Sequence, residues 1–292
     1  MQLEHSRRPR ASVRLLIGIA LLAASAAATG QQPSAAQGQG QQNVRVAVAP
    51  PGAAPAPQPA IWNHVRIIRV KGDRVSDFEA RIKELGAALS KQGEGFTVWQ
   101  VAFGEQNTYH IVSQLESFAS LPQQEANPPM EQAAWSSWVE RIRGTIDSQL
   151  VGVAQVHPDL SMMPPEQQAA ASAELLILVT QTLMPGKRQE FVALLRDQLM
   201  PAFRKSSVIG VVSNEMAFGS GSGDWVFAVP VRSWSELDKP MPLIESMGQQ
   251  AAEQLLSRAE SMVERSETIV LRTRPDLSVA ATPAAEPQRV LR

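Results

Sequence analysis

The feature of this 292-residue chain that most constrains its fold is an internal repeat. The segment His157-Pro158-Asp159-Leu160-Ser161 returns 117 positions later as Arg274-Pro275-Asp276-Leu277-Ser278. Ala102-Phe103-Gly104 returns after 115 positions as Ala217-Phe218-Gly219. The matches keep the same order along the chain, and their offsets drift slowly, as expected when each copy of a unit gains short loop insertions. We infer one domain that was duplicated and fused.

The N-terminal region has the composition of an export signal. Arg7, Arg8, Arg10 and Arg14 form a basic segment, residues 15–24 are apolar, and Ala26-Ala27-Ala28 offers a small-residue cleavage site. The apolar stretch is shorter than the roughly 20 residues of a membrane-spanning helix. We therefore expect residues 1–28 to be removed as a signal peptide. The mature protein is expected in the periplasm or outside the cell, without membrane insertion.

Composition excludes several classes of function. The chain contains no cysteine, so disulfides, thiol redox chemistry and thiolate metal sites are excluded. Removal of the signal, with its four arginines and one glutamate, takes the formal net charge from −1 to −4. A chain of this charge has no basic stripe for a phosphate backbone, so nucleic acid is not an expected partner.

The mature chain divides into two similar units and three less regular segments. Residues 29–60 are rich in Gln, Pro and Ala and predict a disordered linker, and residues 279–292 predict a disordered tail. The units are residues 61–163 and 172–278, and residues 164–171 connect them.

Each unit predicts the order β-α-β-β-α-β. In the first unit the predicted strands cover 65–70, 96–103, 109–112 and 150–156, with apolar residues at helical spacing between them. The second predicted helix carries Trp135, Trp138, Ile142 and Ile146 on one side. This order is the ferredoxin-like arrangement, so the fold class is α+β with two fused ferredoxin-like repeats.

The sheet face opposite the helices is also rich in large apolar residues and must be covered. We expect the two sheets to cover each other face to face about a pseudo-two-fold axis, forming a pseudo-dimeric α+β barrel within one chain. Assembly into higher oligomers is left open.

This pattern resembles the dimeric α+β barrel superfamily. The resemblance rests on the paired topology, on Gly72 and Gly186 before Phe78 and Phe191, and on the prolines that end the last strand of each unit. NIPSNAP-like and antibiotic-biosynthesis-monooxygenase-like domains in tandem are the closest group. The resemblance implies that polar and aromatic residues inside the barrel could position an aromatic substrate without a cofactor.

Three residues are catalytic candidates under this resemblance: Trp99, His110 and Asn214. His110 lies within a predicted strand and titrates near neutral pH in its unperturbed state; alternatively it is a packed or solvent-facing strand residue. Trp99 and Asn214 occupy equivalent strand positions in the two units. If Phe103 pairs with Thr108, Trp99 and His110 share one sheet face, whereas a slip of one residue separates them.

Other polar and aromatic residues have weaker interpretations. Gln100 and Glu215 are also equivalent and are candidates for ligand binding. Trp135 and Trp138 either pack against the sheet or form an exposed patch. The repeated Pro-Asp-Leu-Ser ends a strand, and its aspartate is expected to bind loop amides.

Metal and cofactor sites are not expected. The three histidines of the mature chain lack metal-ligand spacing. Some haem-binding relatives in the superfamily use a histidine of the C-terminal repeat, and this chain has no histidine after His157.

The leading hypothesis is an exported, non-catalytic barrel that binds a small apolar ligand or a protein partner. The alternative is a cofactor-independent monooxygenase or isomerase that acts on an aromatic or enolisable substrate. A third hypothesis is a purely structural domain with a filled interior.

Overall fold

The computed structural model describes residues 60–115, 117–162, 173–219 and 221–281. The predicted signal peptide, all of the predicted linker except Ala60, the connector 164–171 and the tail after Ala281 lie outside the described residues.

The first half contains four strands and three helices. They are β1 (Ile61–Val70), α1 (Val75–Ser90), β2 (Thr97–Phe103), β3 (Thr108–Leu115), α2 (Leu121–Ala126), α3 (Gln132–Arg143) and β4 (Ile146–Val156). In α1, Phe78 and Ile82 are buried at i, i+4 spacing, as an amphipathic helix requires. The prediction that Ile146 belongs to the second helix is wrong. Helix α3 ends before Gly144, and Ile146 is the first residue of β4.

The second half follows the same order. It contains β5 (Leu175–Leu183), α4 (Arg188–Leu194), α5 (Met200–Phe203), β6 (Val212–Gly219), β7 (Trp225–Val231), α6 (Pro242–Met247), α7 (Gln249–Glu260) and β8 (Val263–Thr273). A π-helical turn, Leu195–Leu199, joins α4 to α5.

The eight strands form one closed antiparallel barrel in the order β1-β3-β2-β8-β5-β7-β6-β4. The α+β class and the barrel predicted from the sequence are confirmed. The two halves meet along two seams, where β2 pairs with β8 and β4 pairs with β6. The two sheets therefore face each other and also join through their edge strands. This edge pairing is favourable because a free edge would leave backbone N–H and C=O groups unpaired.

Two hydrophobic clusters lie outside the barrel wall, each between the strands of one half and their helices. The first-half cluster includes Phe78, Ile82, Tyr109 and Trp138. The second-half cluster includes Phe191, Leu194, Leu199, Trp225 and Phe227. Trp138 is 6% exposed and stacks on Trp135, so the packing interpretation of these two tryptophans is the one that the structure supports.

The repeated Pro-Asp-Leu-Ser segment crosses the seams. Leu160 follows β4 but lies in the second-half cluster, and Leu277 follows β8 but lies in the first-half cluster. The Ser161 Oγ accepts the N–H of Ser213 on β6, and the Ser278 Oγ accepts the N–H of Val98 on β2, both at 2.9 Å. The amide-binding role predicted for the aspartates thus falls mainly to the serines.

Candidate functional site

Strand alternation places His110 and Trp99 on the inner face of the barrel. Tyr109 belongs to the first-half cluster and so faces the helices, and its neighbour His110 therefore points inward. Trp99 lies directly opposite His110 in the β2–β3 ladder. This register differs by two residues from the predicted pairing of Phe103 with Thr108. Because the difference is even, the expectation that Trp99 and His110 share a face holds.

Asn214 also faces inward, but from the other half. It pairs with Val156 of β4 and Val226 of β7, and its Nδ2 donates to the carbonyl oxygens of Val212 and Val226, each at 3.2 Å. Trp99 lies on β2 and Asn214 on β6, which are four strands apart around the barrel. The structure thus pairs two of the three catalytic candidates and holds Asn214 by backbone contacts elsewhere.

His110 is a largely buried residue whose ring has no hydrogen-bond partner but whose nitrogens are not among the atoms fully closed off from solvent. It is 7% exposed, and within the described ranges its ring nitrogens make no hydrogen bond. Burial lowers the pKa of His110 to about 4, so the ring is neutral at physiological pH. A neutral imidazole has one N–H donor and one acceptor nitrogen, and buried groups of this kind normally have partners.

The apolar side chains that share the inner face with His110 are unevenly packed: Leu271 and Val156 are buried, and others are not. Six of them are half-buried: Val65, Ile67, Val101, Val112, Leu178 and Ile269. Both hydrophobic clusters lie on the other side of the wall. A filled small barrel buries its inward side chains against one another, so the six half-buried side chains leave some apolar surface accessible.

Gln100 and Glu215 point away from the interior, toward the helices. Gln100 belongs to a polar group that we call the first seam cluster: Glu79, Gln100, Tyr109, Arg274 and Asp276. The Arg274 Nη1 donates to the Gln100 Oε1 at 2.9 Å, and the Tyr109 hydroxyl donates to Glu79 at 2.7 Å. Arg274 also pairs with Glu79, and this hydrogen bond is the main reason that the pKa of Glu79 is lowered.

Glu215 belongs to the equivalent second seam cluster, formed by His157, Arg188, Glu215 and Trp225. Arg188 donates to both carboxylate oxygens of Glu215, at 2.8 and 2.6 Å, and thereby lowers the pKa of this carboxyl. The His157 Nε2 lies 3.2 Å from the Glu215 Oε2, and the His157 ring stacks on Trp225. The arginines thus keep Glu79 and Glu215 ionised near neutral pH. An ionised carboxylate has no proton to donate, so neither residue is suited to act as a general acid there.

The sequence reasoning missed Glu79, Arg188 and Arg274. A signal existed at one of them: the repeated segment begins with His157 in one copy and Arg274 in the other. Both residues carry a side chain able to hold positive charge, and both follow the strand that forms a seam. Glu79 and Arg188 lie on helices or helix starts whose spacing indicated only packing.

Two surface clefts lie away from His110. The larger, of about 460 Å³, is lined by polar residues at one barrel end, among them Arg69, Lys71, Glu105 and Asp147. The other, of about 50 Å³, lies near Ser207 and Pro242. In the described part of the chain, no cluster of three His, Asp or Glu residues could hold a metal. None of the helices there is long and apolar enough to cross a membrane.

Solved structures with the same architecture come from several bacterial proteins. A candidate monooxygenase of Lactobacillus acidophilus matches with a TM-score of 0.53 and 9% identity, covering 76% of this chain and 97% of that chain. A candidate monooxygenase of Fusobacterium nucleatum matches with a TM-score of 0.53 and 11% identity, covering 73% and 92%. The chain has the dimeric α+β barrel fold. An anthrone oxidase-like protein shares this barrel at a TM-score of 0.52 and 10% identity, covering 75% and 92%.

Sequence comparison adds no narrower assignment. No protein-family model matches the chain, and no curated protein matches it. Identities of 9–11% to the barrel structures establish a common fold and not a common activity.

Proposed function

We propose that this protein binds a small, largely apolar molecule inside its barrel and catalyses no reaction on it. The observation that carries the proposal is the unpartnered, buried and neutral ring of His110 among half-buried apolar side chains. An apolar cavity with few convergent polar groups is the usual form of a small-molecule site. The ligand would be apolar with one hydroxyl or carbonyl group, which would hydrogen-bond to His110.

The acid–base properties of the interior argue against catalysis. A general base works best when its pKa lies near the working pH, and His110, with a pKa of about 4, is a weak base at pH 7. The Asn214 amide is held by backbone carbonyls, so it is not free to bind a reacting group through its N–H donors.

The alternative remains a cofactor-independent monooxygenase or isomerase acting on an aromatic or enolisable substrate. Its support is that two proteins of the same fold are named as candidate monooxygenases and a third as anthrone oxidase-like. In that case Trp99 would contact the substrate and His110 would accept its proton.

We also propose that residues 61–163 and 172–278 are duplicated ferredoxin-like repeats of the NIPSNAP-like and antibiotic-biosynthesis-monooxygenase-like group. The equivalent seam segments support the duplication.

Export followed by cleavage near Ala28 is part of the same proposal. The intact mass of protein recovered from the periplasm or medium tests it, and a mass that retains residues 1–28 would refute cleavage.

A matched pair of ligands tests the binding proposal. Naphthalene and 2-naphthol differ by one hydroxyl group, and their affinities can be compared by equilibrium dialysis. Because a hydrogen bond contributes about 1 kcal/mol, the protein should bind 2-naphthol roughly 5-fold more tightly than naphthalene. His110→Leu should abolish this preference and retain naphthalene binding. His64→Leu is the control, because the His64 side chain on β1 faces away from the barrel interior. This variant should keep the preference.

Two results would overturn the proposal. One is the absence of saturable binding of either compound to the wild-type protein. The other is oxygen consumption with 2-naphthol that is lost in His110→Leu, because this outcome would establish the oxygenase instead.

A further inference from the structure

The second half contains three buried polar atoms without hydrogen-bond partners. They are the Gln181 Oε1, the Trp225 Nε1 and the Ser266 Oγ. In the described ranges these are the side-chain nitrogens and oxygens that are both inaccessible to solvent and unpaired; the His110 ring nitrogens are not among them. A buried polar group without a partner is costly, so three of them in one place require an explanation.

The three residues are neighbours in the sheet. Gln181 on β5 pairs with Trp225 on β7 and, on its other side, with Ser266 on β8. They therefore form one row across three strands on the same face. Trp225 belongs to the second-half cluster, so this row lies between the barrel wall and the helices, outside the barrel interior.

The equivalent row of the first half has no such deficit. There Ile68 is central and pairs with Tyr109 on one side and Gln149 on the other. Ile68 is apolar, the Tyr109 hydroxyl donates to Glu79, and Gln149 is exposed. Val192 stands in the second half at the position equivalent to Glu79. The polar row is thus a property of the second half and not a requirement of the fold.

The helix over this layer departs from the first half as well. Helix α1 runs without interruption from Val75 to Ser90, whereas the corresponding helix of the second half contains the π turn Leu195–Leu199. Leu195 and Leu199 are buried in the same cluster as Trp225. Such π turns are rare in proteins, and those that occur often lie at functional sites.

We propose that one buried water molecule is bound between the second-half sheet and its helices by Gln181, Trp225 and Ser266. Water has the matching bonding capacity: it accepts a hydrogen bond from the Trp225 Nε1–H and donates its two protons to the Gln181 Oε1 and the Ser266 Oγ. Buried waters typically make about three hydrogen bonds to otherwise unpaired groups. Glu215 continues the row beside Trp225 and is partly exposed.

Water-selective nuclear Overhauser spectroscopy on the ¹⁵N-labelled full chain tests the proposal. The indole Nε1–H of Trp225, assigned from its absence in Trp225→Phe, should show a cross-peak to a long-lived water. Gln181→Ile, which copies the first-half residue, and Ser266→Ala should each lose this cross-peak. Gln149→Ala changes the residue equivalent to Ser266 in the first half and should retain it.

The outcomes separate the proposal from its competitors. A Trp225 indole without a water cross-peak in the wild-type protein would overturn the proposal. A cross-peak that survives both Gln181→Ile and Ser266→Ala would also overturn it, because the water would then be held by other groups. If Trp225→Phe does not fold, the signal is assigned from the indole resonance that shifts in Gln181→Ile.

Discussion

Leu160 and Leu277 hold the same position in the two Pro-Asp-Leu-Ser segments, and each is buried in the hydrophobic cluster of the opposite half. The leucine that ends the first repeat is 2% exposed and the one that ends the second is 1% exposed. Each half therefore completes the core of the other, and the barrel is expected to unfold as one cooperative unit.

The exchange predicts that a mutation in one half loosens the other. Leu160→Ala and Leu277→Ala should each lower the free energy of unfolding by about 2–5 kcal/mol, because each leaves a cavity in a packed cluster. Hydrogen exchange should show faster exchange in α4 for Leu160→Ala and in α1 for Leu277→Ala. Leu150→Ala, at a side chain that is 50% exposed, is the control and should change stability by less than about 0.5 kcal/mol. Faster hydrogen exchange confined to the mutated half would contradict the burial of each leucine in the cluster of the opposite half.

The first seam cluster predicts a pH-dependent contribution from Arg274. Arg274→Met removes the partner of Glu79 and Asp276, and hydrogen bonds to charged groups contribute about 1.5–3 kcal/mol. Arg274 lowers the folded-state pKa of both carboxyls below their usual values of 4.5 and 3.8. Their stabilisation is therefore present above those values and is lost as the pH falls through the lower folded-state pKa.

Urea unfolding at pH 7 and at pH 3 measures this difference. The wild type should exceed Arg274→Met by about 2 kcal/mol at pH 7, and the gap should narrow at pH 3. Arg196→Met is the matched control, because Arg196 pairs with the equivalent aspartate, Asp159, in an exposed position. Its effect should stay below about 1 kcal/mol. A gap that is constant with pH would argue that Arg274 acts through packing alone.

His110 should remain neutral well below the pH at which histidines usually titrate. Its folded-state pKa of about 4 lies below the usual histidine value of 6.5, so the unfolded chain binds the proton more readily between these values. This difference leaves the free energy of unfolding unchanged above pH 6.5. As the pH falls toward 4, the unfolded chain is protonated first and the free energy of unfolding drops by up to roughly 3 kcal/mol. NMR titration should find the His110 C2 proton signal unchanged from pH 7.5 to 5. A midpoint above pH 6 would contradict a buried, unpartnered ring.

Gly95 should be intolerant of a side chain. A Cβ there would lie 2.3 Å from the backbone nitrogen of Ala281 and 2.5 Å from the Val279 oxygen. Gly95→Ala should push this segment away, weaken the paired hydrogen bonds between Phe96 and Val279, and lower stability by about 1–3 kcal/mol. At Gly72 the nearest atom, on Asn107, would be 3.6 Å away. Gly72→Ala should therefore change thermal or urea unfolding little, and equal effects at both glycines would refute the steric argument.

Much of the strand pattern follows from the sequence because it is local. The repeat predicted two halves with the same order of elements, and that order is found in β1 to β4 and in β5 to β8. Alternation along a strand placed His110 and Trp99 on one face even though the register was two residues in error. Helix ends were less predictable, as Ile146 illustrates, because one apolar residue fits a helix stripe and a strand equally well.

The sequence by itself determined that the two halves have the same order of elements, the α+β class and the sharing of one face by Trp99 and His110. Only the tertiary structure decided that Gln100 and Glu215 lie in seam clusters outside the barrel, and that Leu160 and Leu277 exchange cores. The physical reason is the distance along the chain: Arg274 bonds to Gln100 across 174 positions and pairs with Glu79 across 195. Periodicity reports which side of an element is apolar, but contacts of this range depend on which edges pair when the barrel closes.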